Sequence, residues 1–159
     1  RQNLPKWGME MSAINEIEIP DLPVISPLLD RCFSEAGISD RVTKDECLSW
    51  VHGLIEGKKG KVYTDDIGNP TMLVCVGEGG CVFPREKPLV VFLVYVLPEN
   101  RNGPTFRKMA RLIEGLATAG GYNAVYASEW TYGSTPEIGT LWEAIGYKCQ
   151  EKVYVKLFD

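Results

Sequence analysis

A layered α/β domain around one mixed sheet is the architecture this sequence predicts, on three observations. Hydrophobic patterning from residue 14 onward orders the elements β-α-α-β-β-β-α-β-α-β. The stretch "LVVFLVYVL" (89–97) is apolar without alternation, as a strand covered on both faces must be. Regular βαβ alternation is missing, and no G-x-G-x-x-G follows a strand, which argues against a Rossmann domain.

Each element has its own signal. "INEIEIP" (14–20) alternates apolar and acidic residues, as a half-buried strand does. In "SPLLDRCFSEAG", Ser26 is the expected N-cap, Pro27 takes the first helical position and Gly37 ends the helix. Thr43 and Glu46 form a capping box for a second helix, with Cys47, Val51, Leu54 and Ile55 at helical spacing. "KVYTDD" and "TMLVCV" flank the turn "DIGNP" and read as a hairpin. "GEGG" and "PREKP" are turns before the central strand. The next helix places Phe106, Met109, Leu112, Ile113 and Leu116 on its apolar face, and Arg107, Lys108, Arg111 and Glu114 on its wet face. "NAVYAS" is a short strand. "STPEIGTLWEAIGYK" is a helix whose buried face is expected to carry Ile138, Leu141, Trp142 and Ile145, with Gly146 at its end. "VYVKLF" is a last strand.

Composition narrows the function classes. The 159 residues are 45% hydrophobic and 24% charged, with a net charge of −4, which suits one globular domain and argues against a nucleic-acid binder. Residues 1–13 are read as an N-terminal extension of open origin and 14–159 as the domain. No apolar run is long enough to span a bilayer, no signal peptide is expected, and the expected location is cytoplasmic. Cys32, Cys47, Cys75, Cys81 and Cys149 lack C-x-x-C spacing and read as reduced thiols. His52, the single histidine, reads as a partly exposed residue beside an apolar stripe, and no metal is expected.

Two segments carry a more specific signal. In "PENRNGPTFRKMARL" (98–112) the central strand ends at a proline, a basic loop follows and a helix begins. The segment Leu141-Trp142-Glu143-Ala144-Ile145-Gly146-Tyr147 comes later, ahead of a final strand. With the element order, these resemble the GNAT superfamily of acyl-CoA N-acyltransferases. That family carries a strand, a loop of the form R/Q-x-x-G-x-G/A and a helix, and near its C-terminus a helix reading roughly L-Y-E-K-L-G-F. The resemblance covers residues 14–158 and implies a single mixed, largely antiparallel sheet flanked by helices. It also implies acetyl-CoA or another acyl-CoA as co-substrate, and a small-molecule or peptide amine as acceptor. A homodimer is one arrangement left open.

Carried over by position, the resemblance assigns the pantetheine arm to Val94, Val96 and Leu97. It assigns the pyrophosphate to Arg101, Asn102, Gly103, Thr105, Arg107 and Lys108, at a helix N-terminus where amides and the helix dipole favour anions. Pro104 and Phe106 stand where the family has small residues, and Pro104 has no N–H to offer. Trp142 stands where many members have the tyrosine that protonates the departing thiolate, and an indole has no proton to give near neutral pH. Another group must then supply the acid: Tyr132 is the candidate, with a water as the alternative, and Glu129 is the candidate base. The "WTYGST" loop (130–135) is the expected acceptor-side element. The alternative is a non-catalytic binding or structural protein that keeps the fold and has lost acyl-CoA.

Overall fold

Strands β1 (Asn15–Ile17), β2 (Gly60–Thr64), β3 (Met72–Glu78) and β4 (Pro88–Val96) pair antiparallel in sequence order, and β5 (Ala124–Ala127) joins β4 in parallel. This is a computed structural model, and it describes residues 14–80, 83–128, 138–149, 156 and 158. Helices α1 (Ser26–Ala36) and α2 (Lys44–Glu56) connect β1 to β2, α3 (Gly103–Ala119) carries the chain from β4 to β5, and α4 (Ile138–Ala144) follows.

The sheet separates two cores. On one face Leu28, Leu29, Cys32 and Phe33 of α1 and Cys47 and Val51 of α2 pack on Val62, Leu73, Cys75, Leu93 and Tyr95. On the other, Phe106, Met109, Leu112 and Ile113 of α3 and Trp142 of α4 pack on Met72, Val74, Val76, Leu89 and Val91. Both faces of β3 and β4 are therefore covered, which explains the unbroken apolar run at 89–97. Burial holds the Cys32 and Cys75 thiols up at about 12, so they are neutral packing groups.

Local chemistry sets most boundaries. Thr43 Oγ1 accepts from the Glu46 N–H at 3.2 Å and the Glu46 carboxylate accepts from the Thr43 N–H at 2.8 Å, closing the expected capping box. Gly37, at φ 67°, ends α1 with the Ile38 N–H on the Phe33 carbonyl. The β2–β3 hairpin is held by Asp65, whose Oδ1 accepts from the Thr71 and Met72 N–H groups at 2.8 and 3.0 Å.

Three expectations need correction. β1 stops at Ile17, and a 3-10 helix over Ile19–Ile25 takes the place of the strand's end. Ser26 is not a cap: the chain is already helical at Ile25, and the Ser26 N–H donates to the Pro23 carbonyl. On α4 only Trp142 is buried, while Leu141 and Ile145 are 43% and 38% exposed. A helix of seven residues presents a narrow face, and Trp142 supplies its contact with α3. The expected cap at 134–136, the final strand at 153–158 and Cys81 lie outside the described residues, apart from the isolated positions 156 and 158.

Candidate functional site

The β4–β5 ladder runs through Pro88↔Ala124, Leu89↔Val125, Val90↔Tyr126 and Val91↔Ala127, and stops. β4 continues for five more residues, Phe92 to Val96, with no strand on that side among the described residues. The direction of the backbone groups there follows from the β3 pairing. Hydrogen-bonded and non-bonded partners alternate in an antiparallel ladder. The Leu97 N–H donates to the Thr71 carbonyl at 2.9 Å, so position 97 faces β3, and with it positions 95 and 93. Val94 and Val96 must then turn their N–H and C=O groups toward the open edge. The Val96 carbonyl does so, accepting from Arg101 Nε at 2.9 Å.

Where the ladder ends, β4 also changes register. Val91 opposes Val76 and Leu93 opposes Cys75, so Phe92 is an extra residue in a β-bulge. The bulge reverses the alternation of faces. Leu89 and Val91 point into the α3 core, Phe92 and Leu93 both face α1 and α2, and Val94 and Val96 return to the α3 side.

Below the open edge lies the N-terminus of α3. Asn102 is its N-cap, with Oδ1 accepting from the Thr105 N–H at 2.9 Å, and the Phe106 N–H closes on the Asn102 carbonyl at 3.1 Å. Pro104 has no donor. Of the amides that could meet an anion, those of Asn102 and Gly103 have no acceptor among the described residues, and the Thr105 hydroxyl is also available. Phe106 is buried and meets the Trp142 ring edge-on at 5.1 Å between centroids, so its bulk points into the core and away from the helix end. The Arg107 guanidinium folds back beside Gly103: a Cβ built there would sit 3.7 Å from Nη1. Arg107 is exposed and Lys108 half-buried.

Arg101 is already engaged within the fold. Its guanidinium grips Glu35 of α1 with both terminal nitrogens, Nη2 to Oε2 at 2.8 Å, and lies over the Tyr95 ring at 5.4 Å. The Tyr95 hydroxyl donates to the same carboxylate at 2.9 Å. The Arg101 hydrogen bonds hold the Glu35 carboxyl below its ordinary range, burial opposing them, and burial pushes Tyr95 up to about 12. Arg101 thus ties the loop to α1 with its charge already matched. Nothing in "DRCFSEAG" singled out Glu35, because its partner lies 66 positions away. Beside this pair, Arg31 and Glu99 form an exposed two-point ion pair, so Glu99 sits at the surface by the loop.

The proposed acid Tyr132, the proposed base Glu129 and the "WTYGST" loop all lie outside the described residues. Trp142 is buried, and its Nε1 and the neighbouring Tyr147 hydroxyl have no hydrogen-bond partner among the described residues. His52 is a surface residue whose Nδ1 lies 3.9 Å from Glu56. Among the described residues no group of three or more potential metal ligands gathers, and no helix is long and apolar enough to cross a membrane.

No protein-family model and no curated protein sequence matches the chain. Solved structures do. A GCN5-related N-acetyltransferase from Ralstonia eutropha JMP134 superimposes with a TM-score of 0.71 at 15% identity, over 94% of this chain and 99% of that one. A predicted acetyltransferase from Clostridium acetobutylicum, solved with acetyl-CoA, gives 0.71 at 10% identity, over 91% and 94%. Ribosomal-protein-alanine N-acetyltransferase from Brucella melitensis biovar Abortus 2308 gives 0.66 at 18% identity, over 91% and 99%. At these identities the likeness is one of fold.

Proposed function

We propose that this chain, which has the GNAT fold, is an acyltransferase that binds an acyl-CoA along the open edge of β4 and passes the acyl group to an amine. The observation that carries the reading is the end of the β4–β5 ladder at Val91 and Ala127. Among the described residues, it leaves the backbone groups of Val94 and the N–H of Val96 available to the amides of a pantetheine arm. Leu97 has its N–H committed to Thr71 and contributes shape only. The pyrophosphate would meet the Asn102 and Gly103 amides, the Thr105 hydroxyl, Arg107 and Lys108, at the positive end of α3. Arg101 would position this loop through Glu35.

In the reaction, the amine nitrogen attacks the thioester carbonyl. The C–N bond forms, the C–S bond breaks, and its electron pair leaves on sulfur. One proton passes from nitrogen to a base and one is gained by the thiolate. Glu129 and Tyr132 are the proposed groups for these transfers.

One observation favours a second reading, a GNAT-fold protein without catalysis. The α3 terminus satisfies much of itself: Asn102 takes the Thr105 N–H, Pro104 has none, and Glu35 takes Arg101. Each lost neutral donor costs about 1 kcal/mol, a factor of about five to ten in affinity. Two lost donors weaken the cradle without abolishing it. Calorimetric titration with acetyl-CoA and desulfo-CoA decides between the readings. Micromolar binding of both supports the transferase, and no heat or thermal shift at millimolar ligand overturns it.

A further inference from the structure

The segments "GEGG" (77–80) and "PREKP" (84–88) meet the α3–β5 connection at a cavity of about 260 Å³. Its lining brings together two aromatic rings, Phe83 and Tyr122, and three charges, Glu78, Glu86 and Lys87. The cavity lies at the far end of β4 from the N-terminus of α3. From Pro88, at its edge, to Val94 is about 20 Å of extended strand, so a molecule held here cannot meet a thioester beside Val94.

Its walls are held in place. Asn123 Oδ1 accepts from the Lys87 N–H at 2.6 Å, the Asn123 N–H donates to the Lys87 carbonyl at 3.1 Å, and Nδ2 donates to the Arg85 carbonyl at 2.9 Å. The Tyr126 hydroxyl donates to the Glu86 carboxylate. The Tyr122 ring rests against Gly120, where a Cβ would come within 2.4 Å of Cε2, so only glycine lets the ring lie there. Phe83 is 49% exposed at the cavity, apolar surface that a ligand would take out of water.

Tyr122 sits between two opposite charges. Its hydroxyl donates to Glu78 Oε1 at 3.1 Å, and Lys87 Nζ lies over its ring, 5.0 Å from the centroid. Glu78 and Lys87 are exposed, and among the described residues neither has an ion-pair partner. One carboxylate and one ammonium thus flank a fixed ring without closing on each other, which suits a molecule that bears both signs.

We propose that this cavity is a second, non-catalytic binding site and that its ligand is a free α-amino acid with an apolar side chain. The ammonium lies toward Glu78, the carboxylate toward Lys87, and the side chain against Phe83 and the flanking Pro84 and Pro88. The charge set selects this class. A cation alone is repelled by Lys87, and an anion alone meets Glu78 and Glu86. A neutral apolar molecule strips water from the charges and returns no hydrogen bond. Size agrees: an apolar cavity of about 150 Å³ accepts benzene, so this one has room for a branched or single-ring side chain beside the charged head. The site goes beyond the transferase reading and does not depend on it.

The test is calorimetry on the full chain at matched ionic strength with three probes: L-leucine, isocaproate (leucine without its ammonium) and isoamylamine (leucine without its carboxylate). Leucine is expected to bind about five- to tenfold more tightly than either analogue. Lys87→Gln is expected to erase its advantage over isoamylamine, and Glu78→Gln its advantage over isocaproate. Both positions are exposed, so the fold and the affinity for acetyl-CoA should not change in either variant. Either analogue binding as tightly as leucine, leucine binding that ignores both substitutions, or no heat from leucine at millimolar concentration overturns the site. A parallel acetyl-CoA titration reads the open edge of β4 by itself, so failure of one reading is distinguishable from failure of the other.

Discussion

Replacing Glu35 by Gln removes one negative charge from the junction of α1, β4 and the loop before α3, and its effect can be worked from the geometry. The Glu35 carboxylate receives both terminal nitrogens of Arg101 and the Tyr95 hydroxyl, and the Glu35 and Arg101 side chains are only 21% and 26% exposed. Hydrogen bonds to charged groups contribute about 1.5–3 kcal/mol when well shielded. Glutamine keeps the shape and one acceptor, and the partial exposure calls for a discount, so the expected loss is about 2 kcal/mol at pH 7. For a chain of this length that is about 4–8 °C in Tm. The dependence on pH has a fixed sign. Arg101 depresses the folded-state pKa of Glu35, so the pair's contribution is complete above the ordinary carboxyl value of 4.5 and disappears as pH falls through the lower folded value. Urea unfolding of the two proteins at pH 7 and at pH 3 measures both effects. The gap between them should narrow in acid. A gap below about 0.5 kcal/mol at pH 7, or one that ignores pH, would refute the assignment of Arg101 as a loop anchor. Freeing Arg101 also adds positive charge near α3, so acetyl-CoA affinity should rise about two- to fivefold at low salt, an effect that added salt should erase.

Pro104→Ala restores a donor at the α3 terminus and should tighten acetyl-CoA by about five- to tenfold in calorimetry; unchanged affinity would mean that this amide does not face phosphate. Tyr147→Phe deletes a buried hydroxyl that has no partner among the described residues and should raise stability by about 1 kcal/mol in a thermal melt, whereas a loss would reveal a partner. Gly77→Ala places a Cβ 2.2 Å from the Lys59 carbonyl and 2.7 Å from a Phe92 ring carbon, and should cost about 3 kcal/mol in urea unfolding. A neutral result there would contradict the close approach of β2 and the bulge to β3.

Most of the architecture was legible because its signals are local. The Thr43–Glu46 box, Gly37 and Gly146 as helix ends, and the apolar face of α3 depend on residues within a few positions of one another. Ser26 shows where local reading fails: its capping geometry depends on whether the preceding residues are extended, and Pro20 and Pro23 instead sit in a 3-10 turn. Leu141 and Ile145 fail similarly, because periodicity says which residues share a face and not whether anything covers it.

The order of elements, the central strand and the basic loop at the start of α3 follow from the amino acids alone. Tertiary structure decided what those parts are free to do. It set the end of the β4–β5 ladder and hence the open edge at Val94 and Val96. It placed the bulge that pairs Phe92 with Trp50, and it brought Glu35 across to neutralise Arg101. The physical reason is range: caps and periodicity act over a turn of helix. The charge and edge of this site arise between residues tens of positions apart, which only the folded chain brings together.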